Sequence, residues 1–259
     1  MPRFAANLSM MFTEHPFLDR FQAAADAGFT AVEFLFPYDH PPEIVAKWRE
    51  AAGVHQALFN LAPGNWDGGE RGLASLPGRE AEFEASVTQA LDYADALDCP
   101  LLHVMAGIPG NAPAEAATAT YRRNLTLAAD RAAARGRSIC IEPINARDMP
   151  GFFLRTTTEA IAHLDDVARP NAHLQLDLYH CQISEGDLAK RTAALLPRVA
   201  HVQIAGVPER HEPSLGEINY PYLFALLDRL GYDGWVGCEY RPEAGTVEGL
   251  GWFAAAQAG

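Results

Sequence analysis

Hydrophobic and polar positions along the chain fall into two alternating kinds of segment. Eight short apolar runs recur at residues 3–7, 31–35, 54–60, 101–104, 138–142, 173–177, 199–204 and 235–240. Between them, at 17–27, 42–52, 80–97, 114–135, 157–167, 188–196 and 220–230, apolar residues return every three or four positions. The first kind predicts buried strands and the second amphipathic helices. Gly28, Gly53, Gly136 and Gly231 follow four of the helical segments, where glycine ends a helix most easily. Alternating βα units in this number predict a single α/β domain over residues 1–259, a parallel (β/α)8 TIM barrel.

Four of the runs carry an acid or amide at the end or one residue before it: Glu142, Asp177, Gln203 and Glu239. Strand side chains alternate between faces, so Glu142 shares a face with Cys140, Asp177 with Gln175, Gln203 with His201 and Glu239 with Gly237. Ile139, Ile141, Leu174, Leu176, Val202, Ile204, Val236 and Cys238 take the opposite face. In a barrel the apolar face meets the helices and the polar face lines the lumen, whose C-terminal end carries the chemistry. Three carboxylates and an amide oxygen converging there would be costly without a counter-charge, which predicts one divalent cation. Taken singly, each acid could instead cap the next helix or meet solvent.

Composition narrows the partners. A formal charge of −13, with no Lys/Arg run, argues against nucleic acid. The first residues enter a strand without a leader-like pattern, and no stretch reaches membrane-spanning length, so the expectation is a cytoplasmic, soluble protein, either monomer or homo-oligomer. Cys99, Cys140, Cys181 and Cys238 are too far apart for a zinc motif and read as reduced, buried small hydrophobes. The long connection at 61–79 centres on Asn65-Trp66-Asp67-Gly68-Gly69-Glu70-Arg71-Gly72. Its aromatic and arginine between glycines predict a lid, with a surface insertion as the competing reading.

Taken together, Arg3-Phe4-Ala5-Ala6-Asn7-Leu8-Ser9-Met10, Val32-Glu33-Phe34 with Phe36-Pro37-Tyr38, Gly69-Glu70-Arg71-Gly72, Ile141-Glu142-Pro143-Ile144-Asn145, Gln175-Leu176-Asp177-Leu178-Tyr179-His180 and Gly234-Trp235-Val236-Gly237-Cys238-Glu239-Tyr240 resemble bacterial hydroxypyruvate isomerases. These belong to the xylose-isomerase-like TIM barrels, alongside 2-oxo-tetronate isomerases and the more distant sugar 3-epimerases. The resemblance spans essentially the whole chain. It implies that Glu142, Asp177, Gln203 and Glu239 bind one divalent cation, with Glu142 and Glu239 as the acid/base pair. Where the epimerase branch usually has His, this chain has Gln203, which favours the hydroxypyruvate isomerase side.

The implied reaction moves a proton from C3 to C2 of hydroxypyruvate through an enediolate, giving tartronate semialdehyde, with 2-oxo-tetronate as the alternative substrate. A proton beside a carbonyl is too weakly acidic for a carboxylate to remove unless the developing charge is stabilised, and an oxygen-rich ligand set suits Mg²⁺ or Mn²⁺ for that task. The substrate is a small anionic hydroxy-keto acid, so an arginine fork should hold its carboxylate. Arg71, beside Glu70 on the lid, and Arg210 after the seventh strand are the candidates. His103 and His180 are candidates to contact substrate oxygens, against the alternatives of a satisfied core histidine and an indirect or surface one. Glu33 and Asn60 also stand at strand ends, and His201 lies one layer deeper as a structural residue. A zinc-dependent apurinic-site endonuclease on the same barrel would want a His-rich cluster and a basic groove, neither of which the sequence offers. A non-catalytic sugar-acid binder would not need both glutamates.

Overall fold

In the computed structural model, which describes residues 2–258, the chain closes into a barrel of eight parallel strands in sequence order. The strands are β1 (Arg3–Asn7), β2 (Ala31–Phe34), β3 (His55–Asn60), β4 (Leu101–His103), β5 (Ser138–Ile141), β6 (Ala172–Asp177), β7 (Val199–Ile204) and β8 (Trp235–Cys238), with β8 pairing back to β1. The helices are α1 (Arg20–Asp26), α2 (Pro42–Ala52), α3 (Glu80–Leu97), α4 (Ala114–Ala134), α5 (Thr157–Val167), α6 (Leu178–Ser184), α7 (Leu188–Leu195), α8 (Tyr220–Arg229) and α9 (Gly251–Ala258).

Both faces of the strands are buried, the outer one apolar beneath the helices, as parallel sheets require, and the lumen one carrying Glu33, His103, Gln175, His201 and Gln203. Ile139, Ile141, Leu174, Leu176, Val202, Ile204, Val236 and Cys238 join the main core between sheet and helices. The lumen floor is a small plug of Ala5, Ala31 and Ala57 with Trp235 against it. Leu58, Leu101 and Cys140 form another small cluster. Local signals act where the sequence places them. Pro42 opens α2 and Gly53 closes it in the left-handed region (φ 69°). Thr156 and Glu159 form a reciprocal capping box on α5.

Two elements depart from the sequence reading. Helix α6 follows β6 with no intervening loop, and its first residues, Leu178 and Tyr179, continue the apolar run of the strand. Helix α9 opens on glycine, and its buried Phe253 stacks on Phe29 at 4.3 Å. The predicted strands ending at Glu142 and Tyr240 stop earlier, so Glu142 and Glu239 stand just beyond β5 and β8. The four cysteines are free and buried. Among the described residues no helix is long and apolar enough to cross a membrane.

Residues 61–79 form an irregular loop after β3. Glu70 accepts from the Asn65 amide and pairs with Arg79, both at 2.5 Å. Gly72 packs backbone against the segment after β4, where a Cβ on Gly107 would come within 2.3 Å of the Gly72 carbonyl oxygen. Only glycine permits that approach.

Candidate active site

Glu142, Asp177, His180 and Glu239 meet at the C-terminal mouth of the barrel, each offering one atom within 4.8 Å of the others. All four are buried. Asp177 ends β6 and caps α6, its Oδ1 accepting from the Tyr179 amide at 2.7 Å. Its Oδ2 has no hydrogen-bond partner among the described residues, and neither has Oε1 of Glu142. Asp177 is thus both a helix cap and a carboxylate with one oxygen to spare. His180, three residues on, reaches the cluster from the first turn of α6, its Nε2 3.6 Å from Asp177 Oδ2. On its other side His180 Nδ1 meets the Asn145 side-chain amide at 2.6 Å, so that Nδ1 accepts and Nε2 carries the proton unless it faces a cation.

Charge is crowded here. Burial first, then Glu239 and Asp177, push the Glu142 carboxyl well above the ordinary range. Burial likewise raises Asp177 to about 6 and Glu239 to about 8, with Arg210 working against both shifts. Among the described residues Arg210 is the one cation drawn into contact with the cluster, its Nη2 donating to Glu239 Oε2 at 2.6 Å and lying 3.8 Å from Asp177 Oδ2. Burial would lower its pKa, but Glu239, Asp177 and Glu142 outweigh that and raise it. Its backbone is left-handed (φ 60°), and its guanidinium lies over the Tyr179 ring at 4.9 Å. His103 is held neutral, pushed down to about 3 by burial and by His201, with Nε2 3.7 Å from Glu142 Oε2.

The donor set fits a divalent cation. Orphaned carboxylate oxygens buried at a charge-crowded rim are the reverse of what a closed structural network leaves. Carboxylates with one imidazole suit Mg²⁺ or Mn²⁺, the nitrogen favouring Mn²⁺.

Gln203 is placed differently from the carboxylates. It pairs in register with Asp177, yet its Nε2 donates to Glu33 Oε1 at 2.8 Å and its Oε1 accepts from Gln175 at 2.6 Å. An amide oxygen has two lone pairs, so one remains beyond the Gln175 bond. His201 also bonds Glu33, at 2.6 Å, one layer below the rim.

A cavity of about 1350 Å³ opens over the cluster, lined among others by Glu142, His103, His180, Glu239, Arg210, Asn60, Tyr179, Trp66 and Arg71. Arg71 lies over the Trp66 ring at 4.0 Å and donates to the carbonyls of Trp66 and Glu70. Glu70 does not line the cavity; its carboxylate is turned to Arg79. Sequence reasoning passed over Asp148, which accepts from the Tyr179 hydroxyl at 2.7 Å, and Arg147, which donates to that hydroxyl at 3.1 Å. The Ile144–Pro150 stretch carries no periodic pattern that would have pointed to them.

Comparison with known proteins agrees with the geometry. The family model described as xylose isomerase-like TIM barrel matches residues 21–256. The chain is 57% identical to a 2-oxo-tetronate isomerase of Cupriavidus necator and 44% identical to a hydroxypyruvate isomerase of Escherichia coli, each over 98% of both chains. It superposes with TM-score 0.97 on a crystal structure titled AP endonuclease, family 2, from Brucella melitensis, at 51% identity over 98% of this chain and 99% of that one. A buried acid cluster at the mouth of an eight-stranded barrel, a family match over nearly the whole chain and full-length identity to named isomerases lead to one conclusion: this chain is an isomerase of the xylose isomerase-like TIM-barrel family.

Proposed function

We propose that the chain interconverts 2-oxo-3-hydroxy acids and their 3-oxo-2-hydroxy isomers by moving a proton between C3 and C2, hydroxypyruvate and 2-oxo-tetronate being the three- and four-carbon members of that class. The observation that supports it best is the pair Glu142 and Glu239, buried in one cluster at the floor of the cavity. One carboxylate removes the C3 proton to give an enediolate, the other delivers a proton to C2, and the O3 hydroxyl proton passes to O2 as the carbonyl moves from C2 to C3. Burial raises both carboxyls above their ordinary range, so each holds a proton that an exposed glutamate would have lost.

Glu142, Asp177 and Glu239 would hold one Mg²⁺ or Mn²⁺, with the free lone pair of Gln203 as a further oxygen, and His180 beside them keeps its Nε2–H for the substrate. Such a cation supplies Lewis-acid stabilisation of the negative charge that develops on the substrate's oxygens. Arg210 and Arg71 are the groups for the substrate carboxylate. Arg210 comes from beside Glu239, and Arg71 comes from the loop at 61–79, which acts as a lid. His180 and His103 remain for the substrate's hydroxyl and carbonyl oxygens, His103 as a neutral imidazole.

The sequence resemblance favours hydroxypyruvate. The higher identity to the 2-oxo-tetronate isomerase favours the four-carbon acid as the better substrate. The charge of −13 and a cluster containing a single histidine weigh against an endonuclease reading. The test is turnover of hydroxypyruvate and 2-oxo-tetronate side by side, with metal-stripped protein and with protein reloaded with Mg²⁺ or Mn²⁺. Turnover of both acids, higher kcat/KM for the four-carbon one and loss of both on stripping are expected. No turnover of either in the loaded protein would remove the proposal.

A further inference from the structure

Below the carboxylate rim lies a second buried carboxylate to which the reaction gives no task. Glu33 is fully enclosed, at 0% exposure, and its two oxygens take three donors: His201 Nε2 at 2.6 Å, Gln203 Nε2 at 2.8 Å and the Asn7 side-chain amide at 2.9 Å. The backbone is arranged around it. The β2–β3 pairing shifts register between Val32 and Glu33, the kind of irregularity that re-aims a strand side chain. On β8 the register partner of Gln203 is Gly237, where a Cβ would lie 2.2 Å from Glu33 Oε2. Any side chain at 237 would occupy the space the carboxylate fills.

A buried carboxylate is an expensive way to fill a lumen, since an apolar group of the same volume is often as stable or more so. What a carboxylate does and an amide or apolar group cannot do is accept without donating. Facing Glu33, the Gln203 amide must present its nitrogen, and its oxygen is therefore turned to the other side, where one lone pair takes Gln175. With an amide at 33, Gln203 could flip and present its own N–H₂ to the rim, adding a donor where carboxylates need a cation. We propose that Glu33 is a positioning residue that fixes the Gln203 amide with its oxygen available to the metal cluster, an inference that rests on the reading of Gln203 as a ligand.

The test measures Mn²⁺ affinity by electron paramagnetic resonance of the free ion for wild type, Glu33→Gln, Gln203→Ala and the double variant, with thermal unfolding to establish that each is folded. Glu33→Gln should weaken Mn²⁺ binding about 10- to 100-fold, the usual consequence of losing a ligand's orienting partner. Gln203→Ala should also weaken it, and the double variant should bind no more weakly than Gln203→Ala alone. If Glu33→Gln does not fold, Glu33→Asp carries the test. It keeps the charge but withdraws it by one methylene, and its loss of affinity should likewise vanish in the Gln203→Ala background. Unchanged affinity in the Glu33 variant, or the same fold-loss with and without Gln203, would overturn the positioning role. Unchanged affinity in Gln203→Ala would instead remove Gln203 from the ligand set, and a wild type that binds no Mn²⁺ would remove the metal reading; either takes this inference with it.

Discussion

Two polar layers sit one above the other in the same lumen and solve the problem of buried charge in opposite ways. In the lower layer Glu33 is saturated by His201, Gln203 and Asn7, and the network touches the upper layer through Asn7, 3.4 Å from Glu239 Oε1. In the upper layer Glu142, Asp177 and Glu239 crowd together, Arg210 bonds only one of them closely, and Glu142 Oε1 and Asp177 Oδ2 have no hydrogen-bond partner among the described residues. The same residue type is thus structural support in one layer and an open valence in the next. The difference teaches that satisfaction, rather than burial or charge, separates a carboxylate that holds the barrel from one kept for a ligand.

The sharpest way to break the comparison is to neutralise the upper layer. Glu142→Gln and Glu239→Gln, each nearly isosteric, should lower kcat by on the order of 10²- to 10⁴-fold, since each removes a proton-transfer group. Because buried Glu142 must either hold a proton against its ordinary range or carry a charge without a partner, metal-free Glu142→Gln should melt higher than wild type, a gain on the order of 2–4 °C per kcal/mol for a chain of this size. Near-normal turnover in either variant would remove that glutamate from the pair, and a lower melting temperature would show that Glu142 is not under that strain.

The arginines come next. Arg71→Lys and Arg210→Lys keep charge but lose the fork, and kcat/KM should fall about tenfold for each 1.4 kcal/mol of transition-state contact removed. Steady-state kinetics like wild type in both lysine variants would leave the substrate carboxylate without this clamp. In the lower layer, Gly237→Ala drives a methyl into the Glu33 carboxylate and should cost about 1–3 kcal/mol in denaturant unfolding. No loss would mean that the Glu33 network relaxes freely.

The smallest effect is in pH dependence. Burial raises Asp177 to about 6 and Glu239 to about 8 in the folded protein, against about 4 in the unfolded chain. Between those values the folded state holds more protons, so the cluster's contribution to stability is full at low pH and is lost as pH rises through 6 and 8. A cation needs the ionised carboxylates, so the rise in melting temperature on adding Mn²⁺ should be larger at pH 8 than at pH 5.5. Equal rises at the two pH values would count against this charge crowding.

Much of this was legible in the sequence. Patterning located seven of the strands and seven of the helices, because burial on both strand faces and on one helix face leaves a compositional trace, and β1 followed because the βα count needs a first strand. The carboxylates were legible as polar ends on apolar runs. What the sequence did not carry were contacts between distant elements. Glu33 and His201 are 168 positions apart, and only barrel closure brings them together. His180 entered the cluster because α6 starts directly on Asp177, which a continuing apolar run concealed. The pairing of Arg210 with Glu239 depends on how the loop after β7 folds back, which no local pattern encodes.

The central claim, that the open valences of the upper layer are kept for a divalent cation, is tested most directly by calorimetric titration of Mn²⁺ into metal-stripped protein at pH 8. The account predicts one bound equivalent per chain in the wild type and loss of that site in Glu142→Gln. Absence of binding in the wild type, or an unchanged isotherm in Glu142→Gln, would contradict it.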